Sequence, residues 1–250
     1  MSHAFELHKE IELAATPEQV WEAIATGPGM DAWFMGRNEI EAREGGTTSL
    51  TMAGQTETAT VTHYEPGKRF GSRTADGDDG AFMAFEYLIE GREGGSTVLR
   101  LVQSGVLTGD WETEYEAMKT GWDMYLHSLG EYLSHFAGQT ADVVSAFRPG
   151  ADASESWAAV RTELGLGDKV AVGDAVRFQI EGLAPAEGIV DYVDMPTFLG
   201  VRTGDGLYRF IHSGADRGNV LVLGHHVFGG AGAESTEQAW QSWLNGLSVA

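Results

Sequence analysis

Apolar and polar positions alternate from Phe5 to Leu13, with Phe5, Leu7, Lys9, Ile11 and Leu13 on one side and Glu6, His8, Glu10 and Glu12 on the other. A period of two with one mostly apolar side predicts a half-buried strand. Thr16-Pro17-Glu18-Gln19 follows, giving a capping residue, a proline for the first helical position and a capping-box glutamine. The predicted helix carries Val20, Trp21 and Ile24 and stops near Gly27-Pro28-Gly29; a helical turn from Met30 to Phe34 then presents Trp33 and Phe34. Between Arg37 and Val106 six strands are expected, set apart by Gly45-Gly46, Gly54, Pro66-Gly67, the run Asp76 to Gly80 and Gly94-Gly95. The period then changes. From Trp111 to Gly138 the large apolar residues fall at Trp111, Tyr115, Met118, Trp122, Tyr125, Leu126, Leu129, Leu133 and Phe136, steps of three and four that mark one face of a long helix.

Such a helix needs an apolar surface to cover, and the strands before it supply one: the inner face of a curved antiparallel sheet. The opposite helix face, with Glu112, Glu116, Lys119, Asp123 and Glu131, suits water. Gly121 interrupts the helix at a cost of about 1 kcal/mol relative to alanine, which close backbone approach or room for Trp122 would offset. The residues turned inward, Trp33, Phe34, Phe70, Phe85, Tyr87, Trp111, Tyr115, Met118, Trp122 and Tyr125, form the candidate ligand-binding set. An apolar lining with a few orienting polar groups is what a flat or greasy molecule requires; the same stripe also serves as ordinary core. His63, Arg73, Arg100, Gln103 and Asp123 are the polar side chains that could face it, although the alternation of its strand favours the solvent side for Arg100.

The stretches TPEQVWEAIATGPGMDAWF, EPGKRF and KTGWDMYLHSLGEYL resemble the START-like (SRPBCC) superfamily, in the branch of heat-shock-protein-90 ATPase activator homologues. The resemblance covers roughly residues 4 to 138. It implies an α+β helix-grip fold, in which a curved antiparallel sheet packs on a long C-terminal helix and commonly keeps a cavity beneath it. It says little about activity, since one scaffold hosts many.

After Gly138 the chain echoes itself. Ser156 to Val160 repeats the flavour of Val20 to Ile24, Tyr208 to Gly214 that of Leu99 to Gly105, and Trp240 to Leu244 that of Trp122 to Leu126. The expected organisation is therefore two tandem units, residues 1–138 and a shortened, divergent START-like unit at residues 139–250. The second has room for about five strands, and a linker is expected near Arg148-Pro149-Gly150.

Composition narrows the partners. The 250 residues carry 16 basic and 37 acidic side chains, a formal net charge of -21 that repels nucleic acid and anionic membranes. No apolar run approaches the roughly 18 residues of a membrane span, so no membrane insertion is expected, and the start lacks the pattern of a signal peptide. Cysteine is absent, which fits a reducing compartment such as the cytoplasm and removes thiolate chemistry. No phosphate loop, nucleophile elbow or His-Glu-x-x-His motif occurs, and His225-His226 point to opposite faces of a strand; neither a metal nor a cofactor is expected. The leading reading is non-catalytic binding of a small hydrophobic molecule under the first long helix. Tandem START-like units also resemble polyketide aromatase/cyclases, and the branch resemblance raises a co-chaperone-like module with a protein partner that the sequence leaves unknown.

Overall fold

The computed structural model describes residues 2–150, 152–229 and 232–248. Local rules place the first elements. Strand β1 spans His3–Leu13, and helix α1 spans Pro17–Ala25. Its capping box closes as expected: Gln19 N–H donates to Thr16 Oγ1 at 3.3 Å, and Thr16 N–H to Gln19 Oε1 at 2.9 Å. The stop at Gly27-Pro28-Gly29 is itself helical, a correction to the sequence reading. Thr26 ends α1 and at once caps α2 (Gly27–Met30), its Oγ1 accepting from Gly29 N–H at 3.0 Å with Pro28 in the first turn. Trp33 and Phe34 follow in the expected hydrogen-bonded turn, Phe34 N–H donating to the Met30 carbonyl at 2.8 Å.

Six strands come next, β2 (Arg37–Ile40), β3 (Thr47–Met52), β4 (Gln55–Glu65), β5 (Arg69–Thr74), β6 (Phe82–Gly91) and β7 (Thr97–Leu107), and then α3 (Trp111–His135). The seven strands form one antiparallel sheet in the order β1-β7-β6-β5-β4-β3-β2. Register lines up two rows on its inner face: Leu7, Gln103, Phe85, Ser72 and Val61, then Lys9, Leu101, Tyr87, Phe70 and Tyr64. Trp122 of α3 turns towards these rows. The buried part of α3 is wider than the apolar periodicity indicated, for Met124, Ser128 and Tyr132 are buried too. Ser128 manages this by donating its hydroxyl to the Met124 carbonyl at 3.0 Å.

The chain divides into two compact units, Met1–Gln139 and Thr140–Ala250. The second consists of β8 (Ala141–Pro149), α4 (Ala153–Glu163), β9 (Ala175–Phe178), β10 (Ala186–Asp194), β11 (Phe198–Thr203), β12 (Gly206–His212), β13 (Val220–Phe228) and α5 (Ala233–Gly246). Its antiparallel sheet runs β8-β13-β12-β11-β10-β9. Both sheets are wound alike: the first strand pairs with the last, and the rest follow back in order. Among the described residues the unit has six strands, one more than the sequence suggested. Arg148 and Pro149, read as linker, close β8, an edge strand where a proline removes no needed ladder bond. One echo is displaced: Tyr208 begins in the next-to-last strand of its sheet, Leu99 in the last of the other. The Trp157 and Trp240 echoes do lie on the first and closing helices of the unit.

Two features shape this second core. Arg209 and Asp191 make a buried bidentate ion pair, at 2.8 and 2.7 Å, that crosses β11 above Gly200. A Cβ at Gly200 would lie 2.7 Å from Arg209 Nη1, so only glycine admits the pair. His225, fully buried, accepts the backbone N–H of Arg209 on Nδ1 at 3.0 Å and sits among Trp240, Tyr208 and Phe210. Burial holds its pKa well below the ordinary histidine value, and the nearby charges of His226 and Arg209 act in the same sense.

Two outcomes follow from this packing. Apart from its chain neighbours and its own helix backbone, nothing lies within 4 Å of a Cβ built on Gly121, so the glycine serves no close approach of another element. Gly121→Ala is expected to raise the stability of the first unit by roughly 0.5–1 kcal/mol, seen as a higher urea midpoint; a lower midpoint would restore a steric role. For His225, the unfolded chain takes up a proton that the folded chain refuses, so its contribution is intact above the ordinary pKa of about 6.5 and is lost as pH falls below it. The slope approaches about 1.4 kcal/mol per pH unit. His225→Gln keeps an acceptor for Arg209 and cannot titrate, so urea melts followed through tryptophan fluorescence should weaken less with acid in the variant. Equal acid sensitivity in the two proteins would contradict the assignment.

Candidate functional site

Three elements bring the site together. The inner rows of β5, β6 and β7 form its floor, α3 its roof, and the turn after α2 one wall. At the centre Trp122 Nε1–H donates to Gln103 Oε1 at 2.6 Å. Around this bond the rings touch in sequence. Phe34 stacks on Trp122 with centroids 5.4 Å apart and meets Tyr125 at 5.0 Å. Phe85 and Tyr87 approach the indole edge-on at 6.2 and 6.4 Å, and Phe70 continues the series from Tyr87. Gln103 Nε2 faces the sulfurs of Met118 at 3.1 Å and Met83 at 3.7 Å.

Burial is uneven across the cluster. Trp33, Phe70, Tyr87, Gln103 and Trp122 are buried, whereas Phe34, Met83, Phe85, Met118 and Tyr125 are half-buried. Phe85 lies in the middle of the sheet on its inner face, where a complete lid would cover it. The half-buried residues form a rim around a polar centre, and three of them, Phe34, Met83 and Met118, come from different elements. Burial raises the pKa of the Tyr87 and Tyr125 hydroxyls, so both keep their protons at neutral pH. Among the described residues neither hydroxyl has a hydrogen-bond partner.

The ten side chains singled out in the sequence fall into three groups. Phe34, Phe70, Phe85, Tyr87, Trp122 and Tyr125 lie in the ring cluster, and Met118 joins it through Gln103. Trp33 touches Phe34 at 5.4 Å but is itself wholly enclosed, its indole N–H donating to the Ala23 carbonyl at 2.9 Å, so it anchors the turn to α1. Trp111 stacks on His3 at 3.6 Å and Tyr115 meets Phe5 edge-on at 6.0 Å; both sit above the N-terminal end of β1.

Of the polar candidates, Gln103 alone reaches the cluster. A β-bulge between Val61 and His63 turns His63 to the outer face, opposite Gly71. Arg73 lies on that face over the Phe82 ring and pairs with Asp76 at 2.5 Å. Arg100 reaches out to Glu10 and Glu90, both at 2.7 Å, as its alternation indicated. Asp123 sits on the exposed side of α3 and pairs with Lys9. Sequence reasoning passed over Met83, which shares the period-two face of Phe85 and Tyr87, and Trp21 and Tyr64, whose rings extend the cluster from Phe70. Among the described residues no group of three or more histidine, aspartate or glutamate side chains is placed to hold a metal, and no helix is long and apolar enough to cross a membrane.

No curated protein matches the chain. Among solved structures, a protein from Mesorhizobium loti is 21% identical, with 53% of this chain and 98% of that one aligned at a TM-score of 0.47. The Aha1 dimer from Colwellia psychrerythraea is 23% identical over 52% of this chain and 96% of that one, with a TM-score of 0.43. DynU16, a protein of the dynemicin biosynthetic locus, is 18% identical over 98% of this chain and 97% of its own, with a TM-score of 0.46. Residues 14–134, which run from the end of β1 nearly to the end of α3, match the family described as Activator of Hsp90 ATPase homolog 1-like protein, so the first unit is similar to that family.

Proposed function

We propose that the first unit binds a small hydrophobic molecule between its sheet and α3, without transforming it. The observation that carries this reading is the rim: Phe34, Met83, Phe85, Met118 and Tyr125 stay half-buried around the buried Gln103–Trp122 pair. A finished core would close over an inner-face phenylalanine at the centre of its sheet. Methionines in such a rim adapt their shape to a guest. The mouth lies between the Trp33–Phe34 turn and the N-terminal half of α3. The polar groups inside are an amide and two phenols that hold their protons. They orient a guest, and they lack the carboxylate or imidazole that general-base work would call on. A protein-docking reading draws less support, because among the described residues Val172, at 66% exposure, is the large apolar side chain left open to water. We read the second unit as a shortened copy of the same architecture, on the strength of its strand winding and its closing-helix tryptophan.

Nile red tests the reading. Its fluorescence should rise and shift to the blue with the native protein. Met118→Arg, which puts a charge at the rim beside Gln103, is expected to weaken that binding at least tenfold while circular dichroism stays unchanged. Loss of the fold would mean that Met118 sits in filled core, and full dye binding in a folded variant would place the site elsewhere.

A further inference from the structure

Gln103 is 3% exposed and lies at mid-strand in β7, between Leu7 and Phe85. Its amide cannot be turned over freely. An indole N–H only donates, so the 2.6 Å contact with Trp122 fixes Oε1 towards α3 and sends the NH₂ the other way. There it meets only thioether sulfurs, at 3.1 Å from Met118 and 3.7 Å from Met83. Thioethers are weak acceptors on flexible stems. The strongest buried donor of the cluster is thus aimed at two side chains that can move aside and that satisfy it poorly.

The other polar groups near Trp122 are of the same kind. The Tyr87 and Tyr125 hydroxyls, with rings 6.4 and 6.5 Å from the indole, hold their protons and have no hydrogen-bond partner among the described residues. Cations are absent from this set for reasons already visible in the strand register. Arg73 and Arg100 occupy the outer face with acidic partners, and Lys9, on the inner row, is held by Asp123. A carboxylate entering here would lose its water without gaining a countercharge, and the net charge of -21 opposes its approach. A neutral oxygen acceptor suffers neither penalty.

We propose that this site selects flat apolar molecules bearing a neutral carbonyl oxygen, and that Gln103 Nε2 is the group that reads that oxygen. The inference rests on the ligand-binding reading of the first unit and adds the chemical class of the ligand. On binding, the sulfurs of Met118 and Met83 withdraw from the amide, the carbonyl takes their place, and the ring system lies among Phe34, Phe85 and Trp122. The Trp122 bond stays intact throughout and keeps the donor aimed.

Three probes of nearly equal shape separate the possibilities: 2-acetylnaphthalene, its hydrocarbon isostere 2-isopropenylnaphthalene, and anionic 2-naphthoate. Affinities are read on the full chain from shifts of the tryptophan indole resonances, with the Trp122 signal assigned by Trp122→Phe. The ketone should bind about five- to tenfold more tightly than the hydrocarbon, the worth of one neutral hydrogen bond, and the naphthoate most weakly. Gln103→Leu should leave hydrocarbon binding in place and abolish the preference. Should that variant fail to fold because Trp122 is stranded, the double variant Trp122→Phe, Gln103→Leu removes both partners and carries the same comparison by calorimetry. Equal affinity for ketone and hydrocarbon overturns the carbonyl proposal and leaves hydrophobic binding standing. Binding of neither neutral probe overturns both. A ketone preference that survives Gln103→Leu removes Gln103 from the role.

Discussion

The hydrogen bond from Trp122 to Gln103 is the constraint on which the rest of the first unit turns. It ties the middle of α3 to the last strand of the sheet and sets the distance between roof and floor. It also makes an amide at the centre of an aromatic cluster tolerable. A buried glutamine without partners would cost several kcal/mol, and an indole N–H left unpaired would add to that. Each removes the other's cost. The bond uses only the oxygen of the amide, however, and leaves its two N–H groups to sulfur. The oxygen of the residue is thereby satisfied by a strong donor, and its N–H groups face only weak acceptors.

The arrangement of charge supports the same division. The sheet keeps Arg73 and Arg100 off its aromatic face by strand parity, a bulge at Val61–His63 turns His63 outward as well, and Lys9, which does lie on the inner row, is paired with Asp123. Without that bulge the alternation of the strand would place the imidazole on the inner row, among the rings. The fold thus keeps the interior apolar and neutral while the outer face bears the Arg100, Glu10 and Glu90 network, whose members are exposed and contribute little to stability.

Much of this was legible in the sequence, because the signals were periodic. The alternation of Phe5 to Leu13, the capping box at Thr16 and the three-four spacing of the long helix each follow from local geometry, and all three occur. Family resemblance over the first unit pointed to the fold that the structure shows. Where the reading slipped, a non-periodic event decided the outcome. Thr26 caps two helices in succession, so a glycine-proline stop became a start. The bulge moved His63, and Asp123 pairs with Lys9 of the edge strand β1, outside the ring cluster. Met124, Ser128 and Tyr132 are buried although they lie outside the apolar stripe of α3. For the site, periodicity placed the ring cluster but could not tell Trp33, an anchor bonded to Ala23, from Phe34, which faces Trp122. That distinction depends on which way each side chain leaves a turn, and turns carry no period.

The second unit shows how far the winding of a sheet can be separated from what the sheet encloses. Its closing helix again places a tryptophan over a polar residue of the last strand, with the rings of Trp240 and His225 4.4 Å apart. The chemistry at that point is different. His225 Nδ1 is already taken by the Arg209 N–H, so a neutral ring carries its proton on Nε2. Indole and imidazole then present two donors, and among the described residues neither Trp240 Nε1 nor His225 Nε2 has a hydrogen-bond partner. In the first unit the amide supplies both an acceptor for the tryptophan and a donor beyond it; an imidazole committed to a strand neighbour supplies no acceptor to the tryptophan. The rim differs as well, since Tyr208, Phe210 and Trp240 are all buried where Phe34, Phe85 and Met118 are not. A repeated topology therefore carries no repeated site here. Among the described residues, Gln103 and its half-buried rim have no counterpart in the second unit, where Trp240 and His225 lie in a closed core.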